Sequence, residues 1–77
     1  MDHNQFLENF IAAVDFEEPV PMDLTTELAS LKEWDSLAAL GVIVMADLEY
    51  SVSVTGQDLK SCVTIGDIAA IIERKQG

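Results

Sequence analysis

The segment 36–50, SLAALGVIVMADLEY, is apolar on nearly every side, and this feature constrains the fold of the chain most strongly. A step of about 100° per residue gives it two apolar stripes on opposite sides of a helix. The first stripe comprises Ala39, Val42, Ile43, Ala46 and Tyr50, and the second comprises Leu37, Leu40, Val44 and Leu48. A chain of 77 residues supplies few helices to cover both stripes. We therefore predict that the second stripe is at least partly exposed; the alternative is that the preceding loop buries it.

Hydrophobic spacing and capping signals predict three more helices. The first spans residues 3–14, with Asp2 and Gln5 spaced as a capping box. Thr55 and Asp58 predict a short helical turn that ends near Cys62. A last helix, from residue 65 to about 75, follows the same capping spacing and carries isoleucines on one face.

The connection over residues 15–35 is long for a compact domain. Pro19 and Pro21 exclude a regular helix there, whereas Leu24, Leu28 and Leu31 are spaced as a partial turn that can tuck under the domain. Residues 51–55 alternate polar residues with valine but have no partner run, so we predict a loop. The predicted fold is all-α: residues 1–77 form one domain, a small four-helix bundle of three main helices and one short one.

Composition excludes several classes of partner. Fourteen acidic residues against four basic ones give a formal net charge of −10, which disfavours nucleic acid and anionic membranes as partners. The longest apolar run, residues 37–46, is too short to span a bilayer. The single cysteine, Cys62, cannot form an internal disulfide, and no apolar leader opens the chain, so we expect a cytoplasmic monomer.

Ser36 is the strongest candidate in the sequence for a modified or reactive side chain. Asp35 already occupies the N-cap of the second helix, so a capping role for Ser36 is partly redundant. A group attached to its oxygen lies at the positive end of the helix dipole, which favours a phosphate. As a nucleophile Ser36 is poorly equipped, because the only histidine, His3, lies in the first helix. We interpret Cys62 as a packing residue, disfavour a hydrolase that uses Ser36 or Cys62, and predict no metal site.

The tripeptide Asp35-Ser36-Leu37, at the head of an apolar helix and after a long loop, resembles the attachment motif of the acyl carrier protein family. The runs LAALGVIVMADLEYSVSV and TIGDIAAIIERK resemble the second helix, its following loop and the fourth helix of that family. The resemblance implies that a separate phosphopantetheinyl transferase attaches 4′-phosphopantetheine from coenzyme A to Ser36, with Asp35 and Leu37 beside it. Acyl groups are then carried as thioesters on the thiol of this arm, and the protein itself is a carrier and not an enzyme.

The resemblance also implies partners, namely an acyl- or aminoacyl-loading ligase, a ketosynthase or an acyltransferase. It places the partner-facing residues on the second helix, at Leu37, Leu40, Gly41, Val44, Asp47 and Leu48. The predicted core and any cargo cavity comprise the first stripe together with Phe6, Phe10, Leu28, Ile65, Ile68 and Ile72.

Two departures from the family pattern bear on the pathway. Glu33 stands where many carriers have glycine, and the bulky Trp34 follows it; we expect its indole to pack on the loop leucines rather than on the arm. Ala38, Gly41 and Leu48 stand where acids are common on the exposed side of the second helix. Apolar contact should therefore outweigh charge in docking. This favours a specialised pathway, such as polyketide or nonribosomal biosynthesis, over fatty-acid biosynthesis. The alternative is a non-covalent helical adaptor that binds its partner through the second stripe.

Overall fold

The computed structural model describes residues 2–14 and 21–77, and this part of the chain is all-α. Its elements are α1 (His3–Val14), a 3₁₀ turn (Leu28–Ser30), α2 (Ser36–Tyr50), α3 (Gly56–Lys60) and α4 (Ile65–Gln76). In these residues the extended structure amounts to one isolated bridge between Glu27 and Thr64. The predicted three long helices, one short helix and the loop over 51–55 are confirmed.

Local capping chemistry explains why the predicted helix starts are accurate. The Asp35 carboxylate accepts a hydrogen bond from the Ala38 N–H at 2.8 Å. Both capping boxes, Thr55 with Asp58 and Thr64 with Asp67, are complete. At α1 the box is half formed: Asp2 accepts from the backbone N–H groups of residues 4 and 5, whereas the Gln5 amide donates to Asn9.

The core is built from α1, α2 and α4, from the loop before α2, from Val52 and Val54 in the loop after it, and from Leu59 of α3. The six residues predicted to join it from outside α2, which are Phe6, Phe10, Leu28, Ile65, Ile68 and Ile72, are all buried. The prediction for α2 is less accurate, because Ala39, Ile43 and Tyr50 are half-buried while Ala38 and Met45 are buried. Ala38 was predicted to lie on the exposed side, and this is wrong: α1 packs closely against the adjoining side of α2, where a Cβ on Gly41 would lie 2.6 Å from the Ala13 carbonyl oxygen.

The described part of the long loop, residues 21–35, is held by backbone hydrogen bonds to the start of α4. The Leu28 N–H donates to the Val63 carbonyl at 2.8 Å, and the Gly66 N–H donates to the Leu24 carbonyl at 2.8 Å. Leu28 and Leu31 are buried, which confirms that the loop tucks under the domain. The prediction that Pro19 helps to exclude a helix concerns residues outside the described ones.

The Asp67 carboxylate makes the stability of the folded protein depend on pH. Its carboxylate accepts from the Val63 and Thr64 N–H groups at 2.9 and 3.1 Å, and these bonds hold the pKa of Asp67 below the ordinary value of 3.8. A lowered folded-state pKa adds stability that is present above the unfolded-state pKa and is lost as pH falls through the folded value. Asp67→Asn should therefore lower the melting temperature at pH 6, by an amount that shrinks below about pH 4.

Thermal melts across this pH range test the expectation. Asp47→Asn is the matched control, because it removes the same charge from a side chain without a hydrogen bond in the described part of the chain. A deficit for Asp67→Asn that stays constant from pH 6 to strongly acidic pH would contradict the assignment.

Candidate functional site

Ser36 is the first residue of α2 and is exposed. Within residues 2–14 and 21–77, its hydroxyl has no hydrogen-bond partner, and the backbone N–H groups of Ser36 and Leu37 have no acceptor. The Asp35 side chain satisfies the N–H of Ala38 instead. Ser36 therefore presents an accessible oxygen beside unsatisfied donors at the positive end of the α2 dipole.

The His3 imidazole, a potential base, and the Cys62 thiol, a potential nucleophile, both have partners away from Ser36. His3 Nε2 lies 2.9 Å from Glu73 Oε1, so the imidazole pairs with α4. The Cys62 thiol is half-buried and donates to the Asp58 carbonyl at 3.4 Å. Burial, followed by the nearby Asp67 carboxylate, raises the pKa of Cys62, which disfavours its thiolate. This arrangement is consistent with Cys62 as a packing residue.

A groove of about 460 Å³ opens beside Ser36 between α2 and α3. It is lined by Trp34, Asp35, Ser36, Ala39, Leu40, Ile43, Gly56, Leu59 and Lys60. Trp34 packs against the buried core that includes the loop leucines Leu28 and Leu31, as predicted. Its ring also stacks on Phe10 of α1, with centroids 5.9 Å apart. The indole thus joins the core to the groove. We call this surface the Ser36 groove.

The second apolar stripe of α2 is exposed, and the alternative that the loop buries it is wrong. The exposed fractions of Leu37, Leu40, Val44 and Leu48 are 77%, 55%, 49% and 73%. Leu37, Leu40 and Val44 line a second groove of about 750 Å³, together with Asp35 and the end of α1. Asp47 is exposed as well. Gly41 differs from the rest of the predicted partner-facing set, because it is half-buried against Ala13.

Sequence reasoning missed the contribution of α3 to the site. Gly56, Leu59 and Lys60 line the Ser36 groove opposite α2. The signal for α3 itself was present in the Thr55–Asp58 capping box. The local sequence does not determine which face of this short helix lies next to Ser36.

The arrangement of these helices matches a known fold. Over 97% of this chain and 86% of the other, the structure is similar to a holo acyl carrier protein from Geobacter metallireducens, with a TM-score of 0.76 and 21% sequence identity. The chain therefore has the acyl carrier protein fold, which agrees with the resemblance of its sequence. The sequence matches no protein-family profile and no curated protein sequence.

None of the helices in residues 2–14 and 21–77 combines the length and the apolar character that a membrane crossing requires.

Proposed function

We propose that this protein is an acyl carrier protein that holds acyl or aminoacyl intermediates as thioesters on a 4′-phosphopantetheine arm attached to Ser36. The observation that carries the proposal is the position of Ser36: an exposed hydroxyl without a partner in the described residues, at the head of α2, in a chain with this fold. The similar structure is described as a holo acyl carrier protein.

The residues around Ser36 fit such an arm. The unsatisfied N–H groups of Ser36 and Leu37 favour an anion on the serine oxygen, and the Ser36 groove offers an open surface beside it. The carboxylates of Glu33 and Asp35 near the second groove oppose an anion electrostatically. The proposed attachment is therefore favoured by geometry and local donors, not by the overall charge of the chain.

Each residue of the motif has a role in this proposal. Ser36 supplies the acceptor oxygen, its proton leaves to a base on a separate phosphopantetheinyl transferase, and adenosine 3′,5′-bisphosphate is released from coenzyme A. Asp35 fixes the first turn of α2 through Ala38, and Leu37 offers an apolar contact. The arm, when attached, supplies a thiol that forms thioesters. His3 pairs with Glu73 and not with Ser36, and the neighbouring Asp35 carboxylate accepts from the Ala38 N–H, so we propose a carrier and not an enzyme.

The proposed setting is a cytoplasmic pathway in which residues 1–77 act as one unit. Its partners are the transferase and a loading ligase, ketosynthase or acyltransferase. A specialised polyketide or nonribosomal pathway is preferred, with fatty-acid biosynthesis second, because Leu48 and the neighbouring stripe present apolar atoms to the partner.

Counting thiols tests the proposal directly, because Cys62 is the only cysteine. Cys62→Ala has no thiol, and after treatment with coenzyme A and a broad-specificity transferase it should gain one. The Ser36→Ala, Cys62→Ala double variant should remain without a thiol. Thioester loading that is lost in Cys62→Ala while Ser36 is intact would contradict the proposal.

The exposed stripe favours one second candidate, a helical adaptor that binds a partner through α2 without a covalent arm. The two candidates separate cleanly on Ser36→Ala. A carrier gains the mass of the arm as wild type and loses its cargo in Ser36→Ala. An adaptor gains no mass from the transferase even as wild type, and it keeps its partner binding in Ser36→Ala.

For a carrier, Leu37→Gln should lower kcat/KM of the transferase for this chain about tenfold, because exposed apolar anchors carry much of the binding energy at interfaces. Stability should change by less than about 0.5 kcal/mol, since Leu37 is mostly exposed. Asp47→Asn is the control, and its effect should be small. A larger loss for Asp47→Asn than for Leu37→Gln, or a steep fall of wild-type kcat/KM with salt, would show that charge dominates docking.

A further inference from the structure

The four cations of the chain differ in their surroundings. Lys75 pairs with Asp58, whose carboxylate lies 3.3 Å from its ammonium group. Lys60 lies in the last turn of α3 and lines the Ser36 groove. In the described residues no carboxylate pairs with Lys60, even though the chain carries a large excess of acids. A cation without a carboxylate partner in the described residues therefore lines the same groove as Ser36, in a strongly acidic protein.

The groove gives this cation a defined chemical setting. Its walls are largely apolar, from Trp34, Ala39, Leu40, Ile43 and Leu59, and its charged lining groups are Asp35 and Lys60. Its volume of about 460 Å³ falls in the range of small-molecule sites. Apolar walls with one cation suit a ligand that has an apolar stem and an anionic group.

We propose that Lys60 is an anion-binding residue of the Ser36 groove, which holds a negatively charged group tethered to Ser36. This inference rests on the proposed function, because the tether is the arm on Ser36. The anion is either the phosphodiester of the arm or a carboxylate at the far end of the cargo. In the second case Lys60 selects carboxylated acyl groups over neutral ones.

The expected effect is modest, because Lys60 is exposed and Asp35 lines the same groove. Exposed ion pairs change an equilibrium by about twofold to fivefold. A change of this size can be measured by comparing two cargoes that differ by one carboxylate. The same comparison is made in two variants, each of which lacks a different lysine. Lys32 is the matched position: it is exposed, lies outside the groove lining and has no carboxylate partner in the described residues.

The experiment compares apo, holo, hexanoyl-holo and adipyl-holo protein, in which adipyl is the hexanoyl chain with a terminal carboxylate. The first readout is the NMR signal of the Lys60 side-chain ammonium group. The second is the rate of thioester cleavage by hydroxylamine, which falls when the cargo is held in the groove. Both are measured for wild type, Lys60→Met and Lys32→Met.

If the anion bound by Lys60 is the carboxylate of the cargo, the Lys60 ammonium signal should shift only in adipyl-holo protein. The adipyl thioester is then cleaved about twofold to fivefold more slowly than the hexanoyl thioester, a difference lost in Lys60→Met and kept in Lys32→Met. If the anion is instead the phosphodiester of the arm, the Lys60 signal should already shift in holo protein. Lys60→Met should then accelerate the cleavage of both thioesters equally. A Lys60 signal that is the same in all four forms, or equal behaviour of the two variants, overturns the proposal. If wild type gains no arm by intact mass, the proposed function fails too; a gained arm with an unshifted Lys60 signal overturns this inference alone.

Discussion

Phe10→Ala is expected to lower the free energy of unfolding by about 3–5 kcal/mol, the usual cost of removing a buried phenyl ring. Phe10 is fully buried, and among the described residues its ring lies close to those of Phe6 and Trp34. Its ring centroid is 6.4 Å from that of Phe6 and 5.9 Å from that of Trp34. The change leaves a cavity where α1 meets the residue that leads into α2. Because Trp34 also lines the Ser36 groove, the same substitution should loosen the groove wall.

Denaturant unfolding monitored by the fluorescence of the single tryptophan, Trp34, measures both effects. We expect a lower midpoint and a red-shifted native emission. Ile11→Ala is the control on the same helix, and because Ile11 is exposed it should cost far less. Equal destabilisation by the two substitutions would contradict the packing described here.

Gly41→Ala is expected to destabilise the protein by about 1–3 kcal/mol, the range for overpacked sites. Alanine is favoured over glycine in a helix by about 1 kcal/mol, so intrinsic propensity alone predicts the opposite sign. The difference is tertiary: a Cβ at Gly41 would lie 2.6 Å from the Ala13 carbonyl oxygen. That oxygen belongs to the α1 backbone and cannot rotate away, so α1 and α2 must separate.

Gly56→Ala provides the matched control, since a Cβ there meets no heavy atom within 4 Å. Urea unfolding of both variants should show a loss for Gly41→Ala and little change for Gly56→Ala. A stabilised Gly41→Ala variant would show that α1 does not approach α2 so closely.

Much of the fold was predictable because its signals are local. Asp35, Thr55 and Thr64 mark helix starts by capping chemistry that depends on residues three positions away. The periodic apolar faces of α1 and α4 predict the core residues contributed by both helices. Ser36 was likewise identifiable, because its position behind an N-cap acid and before an apolar helix is a property of the sequence alone.

The exact orientation of α2 was not predictable. Because α2 has apolar residues on nearly all sides, its sequence does not define a single apolar face. Tertiary contacts decide that Ala38 and Met45 are buried while Ile43 is only half-buried. The close approach of Ala13 at Gly41 and the position of Lys60 beside Ser36 depend on how helices meet in space. Neither leaves a signature in local spacing.

Leu40 connects the two proposed activities of α2. It lines both the Ser36 groove and the larger groove along the exposed stripe. A partner that docks on the stripe therefore contacts a wall of the groove that is proposed to hold the arm and its cargo.

Intact-mass measurement after incubation with coenzyme A and a broad-specificity phosphopantetheinyl transferase tests the central claim most directly. Wild type should gain the mass of one 4′-phosphopantetheine, and Ser36→Ala should gain none. Ser30→Ala is the control, because the Ser30 hydroxyl donates to the Glu27 carbonyl at 2.6 Å and lies outside the site; it should be modified as wild type is. A mass gain in Ser36→Ala, or an unmodified wild type with a transferase that modifies another carrier protein, would contradict the account.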